Sequence, residues 1–326
     1  MSGMTKYRQY LPLLQPGDRV AVITPSGPVD PIRLANGCKT LEAWGLEPIL
    51  GSHIRTEGET TAETDSGRAH DLQWALESSD IAGVFCGRGG YGVVRILDRL
   101  DWPAIAKSDA KPVVGFSDLT ALHVALVERL GWASVLGVHV AGGLSHPNAD
   151  NPSSNALRSL LFDGQLPDVF MQQTRVIRPG CATAVPLRGG NLTMLAAMCG
   201  SAEGRAPKTP FIAVLEDINE APYRVDRMLT QLLRAGWFDH AVGVLCGSWE
   251  GCHGDSLPES HVPVASREFD QTPRTELEAV LFERLATVSG LLVIGAPFGH
   301  GAGQLPIPMG IPVVLDAARR RMNFAE

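Results

Sequence analysis

The chain has 326 residues, enough for two domains of ordinary size and a sizeable buried core that needs no disulfide staple. Its 28 lysines and arginines against 35 aspartates and glutamates give a net charge of −7, which argues against nucleic acid or an anionic membrane as its main partner. An acidic ligand must therefore be held by local groups.

In chain order, the segment Met1 to Gly17 carries Tyr7, Arg8, Gln9 and Tyr10 where a secretory leader needs an unbroken apolar stretch. No later apolar run is long enough to span a bilayer. The expectation is a soluble, cytoplasmic protein. From Arg19 to about Leu136 short apolar runs at Val20–Thr24, Ala82–Cys86, Pro112–Gly115 and Ser134–Leu136 alternate with helical spacing at Pro31–Trp44, Ser66–Ser78 and Asp118–Arg129. This pattern predicts an α/β fold, with a doubly wound parallel sheet in an N-terminal domain over residues 1–162. Leu144–Pro152 reads as a turn-rich stretch and Ser153–Phe162 as a closing helix.

Residues 163–183, rich in proline, glutamine and glycine, read as a linker. Beyond it, strands are expected at Phe211–Leu215, Ala241–Cys246, Leu291–Ile294 and Pro312–Leu315, with helices at Leu192–Met198, Tyr223–Ala235 and Thr275–Leu285. Residues 184–326 are thus expected to form a smaller, β-rich α/β domain. The six cysteines lie mostly in apolar runs and read as small buried hydrophobes. Cys246, Cys252, His253 and His261 match no zinc spacing, so no metal is expected there.

Two motifs stand out. Gly87-Arg-Gly-Gly-Tyr-Gly92 follows one strand, and Ser117 in Gly115-Phe-Ser-Asp118 follows the next, which puts both at the carboxyl edge of the sheet, where α/β proteins build their sites. A serine on a strand-to-helix turn projects its hydroxyl outward, and the helix dipole favours negative charge developing beside it. That arrangement suits acyl transfer. On local sequence alone a helix N-cap is the better reading of Ser117, because the Gly-x-Ser-x-Gly signature is incomplete. The glycines also satisfy G-x-G-x-x-G, yet they follow a later strand than a dinucleotide motif should, and no acid ends the strand after them. What they do allow is close backbone approach to a bound group.

Downstream, Glu216 follows the run Phe211–Leu215, and His300 lies in Gly295-Ala-Pro-Phe-Gly-His-Gly-Ala-Gly303. Either alone is an ordinary loop residue. With Ser117 they supply the nucleophile, base and orienting acid of a hydrolytic triad, whose chain order is free. His123 and His139 are weaker candidates. Were the acyl transfer to act on the end of a peptide, as the family resemblance given next implies, a terminal carboxylate would have to be desolvated beside a cation or convergent N–H donors. Arg88 in the glycine turn, with Tyr91 beside it, is the cation nearest the proposed hole, whereas Arg224 and Arg227 read as structural.

These stretches, together with Gly17–Pro28, Gly189-Gly-Asn-Leu192, Leu215-Glu-Asp217 and Tyr223–Leu229, resemble the LD-carboxypeptidases nearly end to end. The resemblance implies a serine peptidase without metal or other cofactor, typically a homodimer, with Ser117 as nucleophile, His300 as general base and Glu216 as the acid orienting it. It implies an oxyanion hole of backbone N–H groups from Asp118 and the Gly89-Gly90 turn, and removal of the terminal D-alanine from muropeptide tetrapeptides in cell-wall recycling. A sister branch, the microcin C self-immunity peptidases, cleaves acyl-sulfamoyl adenylates, and its glycine turn usually reads differently from Arg88–Gly92. The family's frequent His-Gly-Pro is His139-Val-Ala in this chain. Competing classes are a nicotinamide oxidoreductase, resting on the glycine spacing alone, and a non-catalytic muropeptide-binding protein.

Overall fold

The structure is a computed structural model that describes residues 11–54, 61–146, 151–170, 173–256 and 272–325. The chain divides into two compact units, Met1–Pro167 with Leu305–Gly310, and Asp168–Gln304 with Ile311–Glu326. Residues 163–183, expected as a linker, therefore fall partly in each unit, and Arg175–Arg178 is a strand. That strand is held by long-range pairing, which local composition does not display.

The first unit is built on a six-stranded sheet. Its parallel members are β1 (Arg19–Ile23), β2 (Glu47–Leu50), β3 (Gly83–Cys86), β4 (Val113–Gly115) and β5 (Ser134–Leu136). Residues Ile307–Met309 return to pair antiparallel with β5, giving the order Ile307–Met309, β5, β4, β3, β1, β2. Both strands that the sequence reading missed lie at the sheet edges and contain a proline. An edge strand tolerates a residue that cannot donate to the ladder, so proline there misleads a sequence reading. Helices α1 (Pro31–Ala43), α2 (Thr61–Glu77), α3 (Trp102–Ile105), α4 (Thr120–Leu130) and α5 (Pro152–Arg158) connect or flank the strands. Asp30 caps α1 by accepting the Arg33 N–H at 2.9 Å, with Pro31 at the first helical position.

The strand order reverses at β1, because the chain moves to β2 on one side and then to β3 on the other. Open α/β sheets bind ligands at such a switch point, outside the carboxyl ends of the strands. Here the loops leaving β1 and β3 meet directly, as the Gly27 N–H donates to Gly89 O at 3.0 Å.

The second unit holds a seven-stranded mixed sheet. Strands β6 (Arg175–Arg178), β7 (Cys181–Asn191), β8 (Phe211–Ile218), β9 (Ala241–Glu250) and β10 (Leu291–Ile294) are joined by β11 (Ile307–Met309) of the first unit to β12 (Pro312–Asp316) and β13 (Arg321–Phe324). The order is β13-β12-β7-β8-β9-β10-β6, with β7 to β10 parallel and the outer strands antiparallel. Helices α6 (Leu192–Met198), α7 (Pro222–Arg234) and α8 (Glu276–Leu285) alternate with the parallel strands. Strand β8 is buried from Phe211 to Asp217, longer than its apolar run suggests, because Glu216 and Asp217 are absorbed into it by polar partners.

Among the cysteines, Cys86, Cys246 and Cys252 are buried, but Cys181 is exposed and Cys38 and Cys199 are half-buried. Burial pushes the Cys246 thiol up to about 12 and the Cys252 thiol up to about 11. His261 lies outside the described residues.

Helix α4 fixes the end of β4 through His123. Its Nε2–H donates to Gly115 O at 2.9 Å, which leaves Nδ1 to accept the Ser134 hydroxyl at 2.8 Å. Complete burial holds this imidazole down from 6.5 to about 4, so the folded protein prefers it neutral. The unfolded chain binds a proton that the folded chain refuses between those values, and stability must drop as pH falls from about 6.5 towards about 4. Urea unfolding at a series of pH values checks this. His123→Leu should be the less stable protein at pH 7, with its gap to wild type closing by up to about 3 kcal/mol towards pH 4. A gap that stays constant with pH would contradict the assignment.

Candidate active site

Ser117 begins the 3-10 turn Ser117–Leu119 that links β4 to α4. Its φ of 64° is left-handed, a conformation that a residue with a β-carbon resists. It does not act as a side-chain cap: the residue before α4 is Leu119, with no capping hydrogen bond. The geometry is that of a nucleophile elbow, in which a strained turn presents the hydroxyl at the sheet edge.

The glycine turn comes up against this serine. A β-carbon placed on Gly89 would lie 3.0 Å from Ser117 Cβ, 3.3 Å from its Oγ and 3.1 Å from His139 Cε1. Only glycine fits there without displacing the serine. Gly90 has φ 123°, and a β-carbon there would meet Gly27 Cα at 3.2 Å. Because the Gly89 carbonyl is turned onto the Gly27 N–H, the Gly90 N–H across the same trans peptide faces the opposite way. The turn continues into the short 3-10 segments Val93–Arg95 and Leu97–Arg99. No long helix starts at the glycines, so the turn lacks the helix N-terminus on which a dinucleotide pyrophosphate would sit.

Asp118 ties the three loops together from below. Its Oδ2 accepts the Ser26 hydroxyl at 2.6 Å and the Val93 N–H at 2.9 Å, joining the β1 exit, the end of the glycine turn and the elbow. Burial pushes its carboxyl up, against hydrogen bonds from Ser26 and Val93 that pull it down. Arg68 of α2, itself buried, donates to Pro25 O at 2.5 Å and pairs with Asp65, which also binds Arg95 at 2.8 Å. His139 backs the elbow from the other side. Its ring stacks on Phe116 with centroids 4.3 Å apart, and Nε2 lies 3.2 Å from both the N and the O of Phe116. The segment after it is stitched to the β3 exit by Val140 N–H to Cys86 O (3.1 Å) and Ala141 N–H to Gly87 O (2.9 Å).

In the second unit Glu216 and His300 form a pair. His300 Nδ1–H donates to Glu216 Oε2 at 2.6 Å, which fixes the tautomer and leaves Nε2 as the ring's basic nitrogen. Glu216 is completely buried on β8, and its Oε1 has no hydrogen-bond partner among the described residues. The loop carrying His300 is laid along β9 by Ala296 N–H to Cys246 O (3.0 Å), Ser248 N–H to Phe298 O (2.8 Å) and Gly301 N–H to Ser248 Oγ (2.8 Å). Gly299, at φ 97°, has no room for a side chain: a β-carbon would lie 2.7 Å from both Glu216 Oε2 and Ser248 Oγ. Next to Glu216, Asp217 accepts from Asn191 Nδ2 (2.9 Å) and from Thr193 N–H and Oγ1 (2.9 and 2.8 Å), locking β8 to the start of α6.

Arg88 and Tyr91 are both exposed, with Arg88 Nη1 donating to Pro28 O at 3.1 Å. Arg224 and Arg227 lie over the Tyr223 ring. Sequence reasoning did not single out Ser26, the Asp118 side chain or Ser248. The only local signal was a serine next to a glycine, in Ser26-Gly27 just past β1 and in Gly247-Ser248 near the end of β9.

The sequence matches the family described as LD-carboxypeptidase N-terminal domain over residues 20–137, and LD-carboxypeptidase C-terminal domain over residues 185–315. The chain belongs to the LD-carboxypeptidase family. It is a serine carboxypeptidase by that membership. It is 40% identical to a putative carboxypeptidase of Streptomyces coelicolor over 93% of this chain and 92% of that one. It is 32% identical to the murein tetrapeptide carboxypeptidase of Pseudomonas aeruginosa over 94% of this chain and 96% of that one. A crystal structure of muramoyltetrapeptide carboxypeptidase from Oxalobacter formigenes superposes with a TM-score of 0.68 at 26% identity, covering 91% of this chain and 95% of that one.

The role of Asp118 as a strut between three loops is open to test. Asp118→Ala strands two buried donors, at about 1–3 kcal/mol each, and releases the elbow. We expect a lower melting temperature and a kcat reduced on the order of a hundredfold, the scale associated with misplacing reacting groups by about 1 Å. Asp118→Asn, which keeps an acceptor at that point, should recover part of both. Unchanged kinetics in Asp118→Ala would show that the loops hold the serine without it.

Proposed function

We propose that this enzyme removes the C-terminal D-alanine from muropeptide tetrapeptides, with Ser117 as nucleophile, His300 as general base and Glu216 as the acid that orients it. The observation that carries the reading is Ser117 held at positive φ with Gly89 against it, in a chain whose relatives include a murein tetrapeptide carboxypeptidase. Ser117 Oγ attacks the carbonyl carbon that precedes D-alanine, and His300 Nε2 accepts the hydroxyl proton. The tetrahedral oxyanion is received by backbone N–H groups of Asp118 and of the Gly89-Gly90 turn. On collapse, His300 returns the proton to the D-alanine amine, and water then hydrolyses the acyl-enzyme with the same residue acting as base.

Glu216 stabilises the imidazolium that forms in both half-reactions, and its 2.6 Å bond to Nδ1 suits that task. Arg88 in this reading binds the terminal carboxylate, with Tyr91 beside it, since an anion leaving water needs a cation or convergent donors. Sequence and family resemblance further support action in the cytoplasm, as a homodimer, on wall fragments rather than on nucleic acid or membrane. No described helix is long and apolar enough to cross a membrane.

Mass spectrometry of the purified protein with a muropeptide tetrapeptide tests the reading. The expected result is loss of one alanine from the wild-type reaction, and a rate lowered on the order of a million-fold in a folded Ser117→Ala protein. Amidation of the terminal D-alanine should cripple cleavage, and equal rates on acid and amide would refute carboxylate recognition. A Ser117→Ala protein that melts lower yet keeps most of its activity would overturn the nucleophile assignment.

A further inference from the structure

Outside the residues used above, the first unit holds one group of metal-ligating type among the described residues: His53, just past β2, with His70 and Asp71 on α2. We propose that these three residues bind a divalent transition metal of the zinc class, at a site separate from the peptidase residues. One donor atom from each lies within 4.8 Å of the others. Asp71 Oδ1 is 2.8 Å from His53 Nδ1 and 3.4 Å from His70 Nδ1, so both imidazoles converge on one carboxylate oxygen. A tetrahedral zinc with bonds of about 2.0–2.1 Å places its ligand atoms about 3.3 Å apart, close to the 2.8 and 3.4 Å that separate Asp71 Oδ1 from the two imidazole nitrogens.

The donor set has the chemistry of an open metal site. Two imidazoles and a carboxylate suit zinc, cobalt, nickel or copper better than calcium or magnesium, which prefer all-oxygen shells. The carboxylate is already oriented: Asp71 is buried, and its Oδ2 accepts the His53 backbone N–H at 2.8 Å. Outer hydrogen bonds of this kind fix a ligand before the ion arrives. Both histidine rings are exposed, and they pack edge to face with centroids 5.0 Å apart. When the metal takes Nδ1 of a neutral ring, the ring proton relocates through solvent to Nε2, so the exchange balances without a further acceptor. His70 also borders an open cleft of about 950 Å³ shared with Gln73, Trp74, Arg99 and Asp101, which leaves room for solvent on the metal's remaining positions.

The site would clamp α2 to the exit of β2. That helix also carries Arg68, three residues before Asp71, which holds the Pro25 carbonyl of the β1 loop. Binding to the folded state alone raises stability by mass action.

Chelator-treated full-length protein titrated with Zn²⁺ against a chromophoric competitor, and separately with Co²⁺ followed by visible absorption, tests the proposal. Wild type should take up one equivalent of Zn²⁺, show tetrahedral Co²⁺ bands and melt higher with Zn²⁺ present. His53→Ala and His70→Ala change exposed side chains, and each should leave the protein folded by circular dichroism, weaken Zn²⁺ binding at least about tenfold and abolish the Co²⁺ bands. Uptake equal in wild type and both variants, or no Zn²⁺ uptake by wild type, would overturn it.

Discussion

Ser117 sits at φ 64°, a conformation that costs a residue with a β-carbon on the order of 1–3 kcal/mol, and the first unit is arranged to hold it there. The elbow exists because β4 ends at Gly115, where a β-carbon would strike Leu119 and Cys86, and because the turn must then deliver the chain into α4. His123 secures the Gly115 carbonyl from one side and His139 backs Phe116 from the other. Asp118 joins the turn to the loops leaving β1 and β3. A serine placed this way cannot relax into an ordinary cap while those contacts persist. The same contacts bring Gly89 against the hydroxyl, so constraint of the proposed nucleophile and construction of a candidate oxyanion hole are one structural event.

The second unit solves a different problem, which is to keep a carboxylate buried and still useful. Glu216 has its Oε2 on His300 and its Oε1 without a partner among the described residues, so it is poorly compensated except by the imidazole. Its backbone is fixed in β8, and its neighbour Asp217 takes the polar load at the strand end through Asn191 and Thr193. The His300 loop is held by β9, with glycine required at 299 so that the loop can pass over Glu216 and Ser248. The proposed base and acid are thus set by backbone pairing of the elements that carry them.

Much of this was legible in the sequence. The parallel order of the first sheet followed from alternating buried runs and helical spacing, because strands covered on both faces read as short, continuous apolar segments. Ser117 and His300 drew attention in the sequence because each follows a short apolar run among glycines, whereas Glu216, read as following its strand, lies inside β8. The edge strands β2 and Ile307–Met309 were not recognisable, since proline and mixed polarity hide a strand whose partner is far away in sequence. Nor was β6, paired with β10 more than a hundred residues on. The Asp118 and Ser248 contacts escaped for a related reason: each is one short polar residue whose partners are set by tertiary packing. The glycine spacing that suggested a dinucleotide site instead serves close approach of Gly89 to Ser117 and Gly90 to Gly27.

We propose that Ser117 and His300, carried on separate units of the chain, act as one catalytic group. A double-mutant cycle on kcat with the tetrapeptide, comparing Ser117→Ala, His300→Ala and the double variant, tests it most directly. Residues that work as a unit are strongly non-additive, so the account predicts that the double variant is no slower than Ser117→Ala alone. Single effects that multiply in the double variant would contradict it.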